Sequence, residues 1–178
     1  FGEKTLNNAG VKTHCIVDES RPTTIKQRFR SKGKSLLRVS HLHQDSINTN
    51  LQDKIFNIIS SVIENIDLLV FSDFNYGCLP QLLVDKLLKL ANDHKVMLVA
   101  DSQSSSQIGD IARFKGCELI TPTEKEARIS EKNNEDGLII LTEKLKKNSS
   151  ASNIFLKIGE EGLLIYSGSE SSGYNTDR

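Results

Sequence analysis

The period of the apolar positions changes along this chain, and the changes divide it into elements. From Arg21 to Arg30 the residues alternate as in a strand, with Thr24, Lys26, Arg28 and Arg30 on one side and Ile25, Gln27 and Phe29 on the other. Lys32-Gly33 marks a turn, and the run from Lys34 to Leu42 returns as a second strand, so 21–40 reads as a β-hairpin. After Asp45 the spacing lengthens. Leu51, Ile55, Ile58, Ile59, Val62, Ile63 and Ile66 recur at three and four, which makes one apolar helix face. Beyond it, short unbroken apolar runs predict strands at 68–73, 96–101, 118–122, 153–159 and 162–166, the last two paired antiparallel. Helices are predicted from Pro80 (with Leu83, Leu87, Leu88 and Ala91 buried), around 107–115, from Thr123, and over 136–147. Residues 1–13 read as an incomplete element.

Strand alternating with helix predicts an α/β fold of one domain, 1–178. Its core, 45–178, is a largely parallel sheet with helices on both faces. The hairpin 21–40 projects from it as a lid and stays out of the main sheet.

Composition narrows the function without choosing it. The 178 residues carry 23 basic and 23 acidic side chains, so no net field draws the chain to nucleic acid or an acidic membrane. No apolar run approaches the roughly 20 residues that span a bilayer. The first residues have no signal-peptide pattern. Cys15, Cys78 and Cys117 are odd in number and widely spaced, which points to a reducing, cytoplasmic setting and not to a disulfide framework. A start at Phe1 and a polar last stretch predict that both ends are cuts within a longer chain.

In open α/β sheets, ligands sit beyond the C-terminal ends of the strands. Those ends read Ser72-Asp73-Phe74-Asn75-Tyr76-Gly77, then Asp101-Ser102-Gln103 running into 104–107, then Thr121-Pro122-Thr123 with Glu124 and Glu126, then Lys157-Ile158-Gly159-Glu160-Glu161-Gly162. Asp73 and Asp101 each have a plain reading as strand-ending acids. Together on one rim they form a candidate site for a sugar hydroxyl or a hydrated Mg²⁺. Thr123 and Glu126 have capping-box spacing; the sharper reading has Glu126 hold a metal-bound water near phosphates. The two glycines 159 and 162 make a turn, or let backbone N–H groups approach a phosphate. Lys26, Arg28 and Arg30 form either a solvated edge or an anion-binding flap. His41 and His43 have no further ligand nearby, so a surface pair is the better reading than a metal site.

Taken in order, RPTTIKQRFRSKGKSLLRV, VFSDFNYGCL, LVADSQ, LITPTEKEAR and FLKIGEEGLLIY resemble the PfkB (ribokinase-like) carbohydrate kinases. Within them the chain is most similar to the D-glycero-D-manno-heptose 7-phosphate kinases of ADP-heptose synthesis. The likeness runs from about Gly10 to Tyr166. It implies a ribokinase-like sheet, incomplete at both ends, with a β lid and a homodimer formed through that lid. It also implies ATP-dependent phosphorylation of a sugar or sugar phosphate (heptose 7-phosphate at C1), with ATP and Mg²⁺ as cofactors. By position, Arg21, Lys26, Arg28 and Arg38 would lie at the lid near the sugar or its phosphate, and Asp73 and Asn75 near the sugar. Thr121 and Glu126 would lie near the nucleotide phosphates and Mg²⁺, with Glu126 the metal contact, and Gly159 and Gly162 would approach ATP.

The departures from the pattern are specific. Thr123 stands where the family's Asn-x-x-Glu has Asn, and Lys157 where its strand motif has Thr. Ser102 stands where heptose kinases often have Pro, and the Asn75-Tyr76-Gly77 turn lacks their Lys. No G-x-G-D occurs; the resemblance puts the base-bearing Gly-Ala-Gly-Asp segment after Arg178, so no catalytic residue is assigned in this stretch and the fragment alone is expected to be inactive. Two rivals remain. One is a non-catalytic nucleotide- or sugar-binding relative of the kinase fold. The other is an unrelated regulatory domain with Asp73 as its switch acid.

Overall fold

A computed structural model describes residues 2–103, 109–167 and 176–177. Helix α1 (Gly2–Asn8) buries none of its residues. The hairpin is formed by β1 (Ile25–Ser31) and β2 (Lys34–His41). Lys32 and Gly33 both have positive φ, 46° and 79°, the two-residue turn whose twist matches a hairpin. Pairing runs from Ile25 with His41 to Phe29 with Leu37, then slips so that Arg30 faces Ser35. Leu36 is the extra residue of this bulge.

Helix α2 (Thr49–Val62) starts where the Asn48 side chain accepts the Leu51 N–H at 3.0 Å. Its predicted stripe is the packed one: Leu51 and Ile63 are buried, and Ile55, Ile59 and Ile66 lean on the core. Then come β3 (Leu68–Asp73), α3 (Gln81–Asp93), β4 (Met97–Ser102), β5 (Leu119–Ile120), α4 (Glu124–Glu131), α5 (Leu138–Ser149), β6 (Asn153–Lys157), β7 (Leu163–Ser167) and β8 (Thr176–Asp177). Helix α3 follows Pro80, as the fixed φ of proline suggests. The helix expected around 107–115 is one 3₁₀ turn, Ile111–Arg113, capped by Asp110; residues 107 and 108 lie outside the described residues. Strand β5 is shorter than the predicted 118–122, since Pro122 has no N–H for a ladder.

Among the described residues the main sheet is ordered β3-β4-β5-β6-β7-β8, apart from the two-stranded hairpin sheet. β3 to β6 are parallel; β7 and β8 are antiparallel additions. Parallel strands that neighbour one another in chain order, joined by right-handed crossovers, send every connection over the same face. The burial pattern agrees. Phe71, Leu98, Ala100, Ile120, Ile154, Leu156 and Leu164 belong to one core with α2–α5. The alternate positions Leu68, Val70 and Met97 are exposed. Among the described residues, the second face of the sheet thus carries exposed apolar side chains over β3 and β4. No helix among the described residues is long and apolar enough to cross a membrane.

Candidate functional site

The C-terminal ends of β3 to β6 meet on one rim, and the root of the hairpin stands beside it. At the β3 corner, Asp73 is 3% exposed. Its Oδ1 accepts the Asn75 N–H at 2.9 Å, and its Oδ2 accepts from the Arg113 guanidinium at 2.8 Å and from the Ser102 hydroxyl at 3.4 Å. A buried carboxylate is costly unless paired, and Arg113 supplies the pair. Arg113 also donates to the Leu79 carbonyl at 2.8 Å and lies 4.6 Å over the Phe114 ring. Asn75, at φ 57°, stitches the β3 end to the β4 end: its amide donates to Ser102 Oγ at 3.1 Å and to the Gln103 carbonyl at 3.0 Å. A cavity of about 520 Å³ opens here, lined among others by Gln44, Ser46, Asp73, Asn75, Gly77 and Arg113. Gly77 has φ 75°, and a methyl group on it would sit 1.9 Å from the Asp45 carbonyl oxygen, so the chain there admits only glycine.

At the other corner, Asp101 Oδ1 accepts from the Thr121 hydroxyl at 2.8 Å and from Lys157 Nζ at 2.9 Å. The Lys157 N–H bonds the Pro122 carbonyl at 2.8 Å, and Thr123 and Lys157 bridge in parallel. The capping box is real. The Thr123 N–H reaches Glu126 Oε2 at 2.7 Å, and the Glu126 N–H reaches Thr123 Oγ1 at 3.3 Å. One carboxylate oxygen of Glu126 is thereby engaged with the start of its own helix. Gly159 (φ 65°) and Gly162 (φ 102°) form the β6–β7 turn, closed by the Ile158 N–H on the Gly162 carbonyl at 2.9 Å. Nothing lies within 4 Å of a Cβ built on Gly159, so its backbone faces open space.

On the hairpin, Lys26 Nζ lies 5.2 Å over the Tyr76 ring and 5.7 Å over the Phe74 ring. Arg28 and Arg38 are direct cross-strand partners and so share that face. Among the described residues no acidic side chain forms an ion pair with either. Arg21 has another position: its Nε bonds Asp18 at 2.7 Å, and one terminal nitrogen donates to the carbonyls of Asp45 and Tyr76, each at 2.9 Å. Its polar edge therefore holds chain to chain.

The ten residues expected from the sequence thus fall into three groups. Lys26, Arg28 and Arg38 share the hairpin face, with Arg21 at its root. Asp73 and Asn75 share the first corner. Thr121, Glu126, Gly159 and Gly162 line the second. Sequence reasoning missed Arg113, which reaches Asp73 across 40 positions of chain, and it took Asp101 and Lys157 singly, not as a pair. Among the described residues no three His, Cys, Asp or Glu side chains converge on a metal position.

No family model matches the chain. In sequence it is similar to the bifunctional protein HldE of a Nitratiruptor species, with 28% identity over 167 residues, covering 92% of this chain and 34% of that protein. In structure it resembles the ribokinase of Giardia lamblia, with a TM-score of 0.70 at 15% identity over 97% of this chain and 53% of the other. It also resembles the tetrameric inhibited form of phosphofructokinase-2 from Escherichia coli, with a TM-score of 0.69 at 12% identity over 96% of this chain and 56% of the other. The fold is ribokinase-like. The ribokinase-like chain spans about a third of the length of the curated HldE relative and about half of the solved kinases. The resemblance to PfkB carbohydrate kinases, first read from five segments, is borne out.

Proposed function

We propose that the full-length protein is an ATP-dependent kinase of a sugar or sugar phosphate, and that heptose 7-phosphate, phosphorylated at C1, is its substrate. The reading is carried by the arginine pair on the hairpin. Like charges directly opposite in a sheet repel, and Arg28 and Arg38 hold this arrangement on the face turned toward the strand-end rim. A phosphate between them turns the repulsion into charge-assisted hydrogen bonds. Lys26, over Tyr76 and Phe74, adds a third positive charge on the same face.

In this reading the hairpin is the lid that grips the sugar phosphate. The corner of Asp73 and Asn75 shapes the sugar side, with Arg113 holding Asp73 in place. Thr121, Glu126, Gly159 and Gly162 would face the nucleotide, and Glu126 would be the residue near the Mg²⁺ that the nucleotide carries. ATP supplies the phosphoryl group, and Mg²⁺ supplies the charge that neutralises its oxygens. The apolar hairpin face, with Ile25, Phe29 and Leu37 exposed, supports a homodimer formed through the lid. The free cysteines support a cytoplasmic protein.

The test is ADP release by the purified full-length protein with ATP, Mg²⁺ and a panel of sugar phosphates that includes heptose 7-phosphate. Turnover is expected, fastest with the heptose. No turnover with any member would sink the kinase reading. Thr123 and Lys157, which depart from the family pattern at the nucleotide corner, favour a second reading as a non-catalytic binding relative. Nucleotide or sugar binding without phosphoryl transfer would support it.

A further inference from the structure

The cavity at the Asp73 corner has a wall that none of the five motif segments contains. Gln44 and Ser46 lie in the connection from the hairpin to α2, and both line the cavity. Between them, Asp45 is clamped to the end of β3. Its carbonyl accepts from Arg21 at 2.9 Å, and the same oxygen stands 1.9 Å from where a Cβ on Gly77 would be. One residue further on, the Ile47 N–H bonds the Gly77 carbonyl at 3.0 Å. These fasteners hold two exposed polar side chains, at 44 and 46, on the same cavity as Asp73 and Arg113. We propose that this cavity receives the uncharged, hydroxylated part of the substrate, that Gln44 and Ser46 choose among sugars there, and that the phosphate stays outside it, on the hairpin arginines. This assignment rests on the kinase reading and deepens it.

The chemistry of the lining selects the ligand. Among the described residues Arg113 is the cation that lines the cavity. Both of its terminal nitrogens are engaged, one with the Leu79 carbonyl and one with Asp73, each at 2.8 Å. Asp110 adds a second carboxylate, one oxygen of which accepts the Ala112 N–H at 3.0 Å and the Ser130 hydroxyl at 2.7 Å. A phosphate there would meet two carboxylates and a guanidinium already paired with one of them. Uncharged hydroxyl groups fit instead. They donate and accept, and so do the amide of Gln44 and the hydroxyl of Ser46. Asn75 has spent its NH₂ on Ser102 and Gln103, so it offers its carbonyl oxygen. The volume of about 520 Å³ lies within the roughly 300–1,000 Å³ of small-molecule sites.

The plain rival is a solvated connection with no part in recognition, and substrate preference separates the two. Steady-state rates of full-length wild type, Gln44→Leu, Ser46→Ala and Arg28→Ala are measured with ATP, Mg²⁺ and sugar phosphates that share a phosphate and differ in the configuration of their hydroxyls. A melting curve accompanies each variant. Gln44→Leu and Ser46→Ala are each expected to raise the KM for the preferred sugar phosphate about tenfold, the effect of one lost hydrogen bond. Each also shrinks the kcat/KM preference over the epimers by about the same factor, while the KM for ATP stays unchanged. Inorganic phosphate, as a competitor of the sugar phosphate, is weakened by Arg28→Ala and unaffected by the other two. Ser46→Ala removes a single oxygen and carries the test should Gln44→Leu fold poorly. An unchanged preference in the folded variants, or a phosphate inhibition constant that rises with either, overturns the assignment and leaves the kinase reading standing. A wild type that turns over no member of the panel brings down the kinase reading, and this assignment with it.

Discussion

Arg113 and Asp73 form an ion pair whose partners are 15% and 2% exposed at the side chain. Removing one partner of such a pair leaves an uncompensated buried charge, so Arg113→Met is expected to cost about 3 kcal/mol in urea unfolding. Asp73 was legible as a rim residue because it ends an apolar run. Its partner was not, since no periodicity links positions so far apart. Arg28 has the opposite character, exposed and without an acidic partner among the described residues. Arg28→Ala in the full-length protein is expected to raise the KM for the sugar phosphate about tenfold with the KM for ATP unchanged; a change confined to ATP would remove the hairpin from the sugar site. Cys117 is fully buried, and burial pushes its thiol up to about 12. Below the ordinary thiol range both folded and unfolded states keep the proton. As pH rises above that range toward 12 the unfolded state loses its proton first, and stability falls. A thiol reagent at neutral pH should label Cys15 and Cys78 in the native chain, and Cys117 only after unfolding.

Elements were legible where one local rule decides them. The capping box of α4, the Lys32-Gly33 turn, the start of α3 after Pro80 and the antiparallel β6–β7 pair all follow from short-range chemistry. The bulge at Leu36 does not, because β1 alternates without interruption and the extra residue sits only on its partner. The seam between α4 and α5 holds a further consequence. Glu131 accepts from the Asn148 amide at 2.6 Å, while its other oxygen is buried and without a hydrogen-bond partner. Burial first, opposed by the Asn148 bond, raises its carboxyl above the usual range. A raised acid favours the folded state at low pH, and that contribution is lost as pH rises through the shifted value. Glu131→Gln is therefore expected to stabilise the protein at neutral pH and to flatten the fall of its stability as pH rises above the usual carboxylate range. Paired thermal melts across that range are the check.

For the whole molecule, the strand order and the hairpin's separation from the sheet follow from the alternation of strand and helix. Which sheet face carries exposed apolar side chains among the described residues does not, because each strand's pattern is the same whichever side is covered. Two apolar surfaces result, one over β3 and β4 and one on the hairpin. The lid-dimer proposal draws on the second. Phe29→Glu with Leu37→Glu is expected to turn a dimer of the full-length protein into monomers in sedimentation, with little change in melting temperature. A dimer that survives both charges is held together elsewhere.

The bonds of Arg21 bear on how the hairpin moves. One guanidinium is fastened to the chain before the hairpin at Asp18, to the chain after it at Asp45, and to the turn beyond β3 at Tyr76. A lid hinged at its root swings like a door. A lid riveted at both feet to the floor of the site, as the proposed function would make this hairpin, would instead bend along its own length like a springboard, its tip, near the Leu36 bulge, travelling furthest.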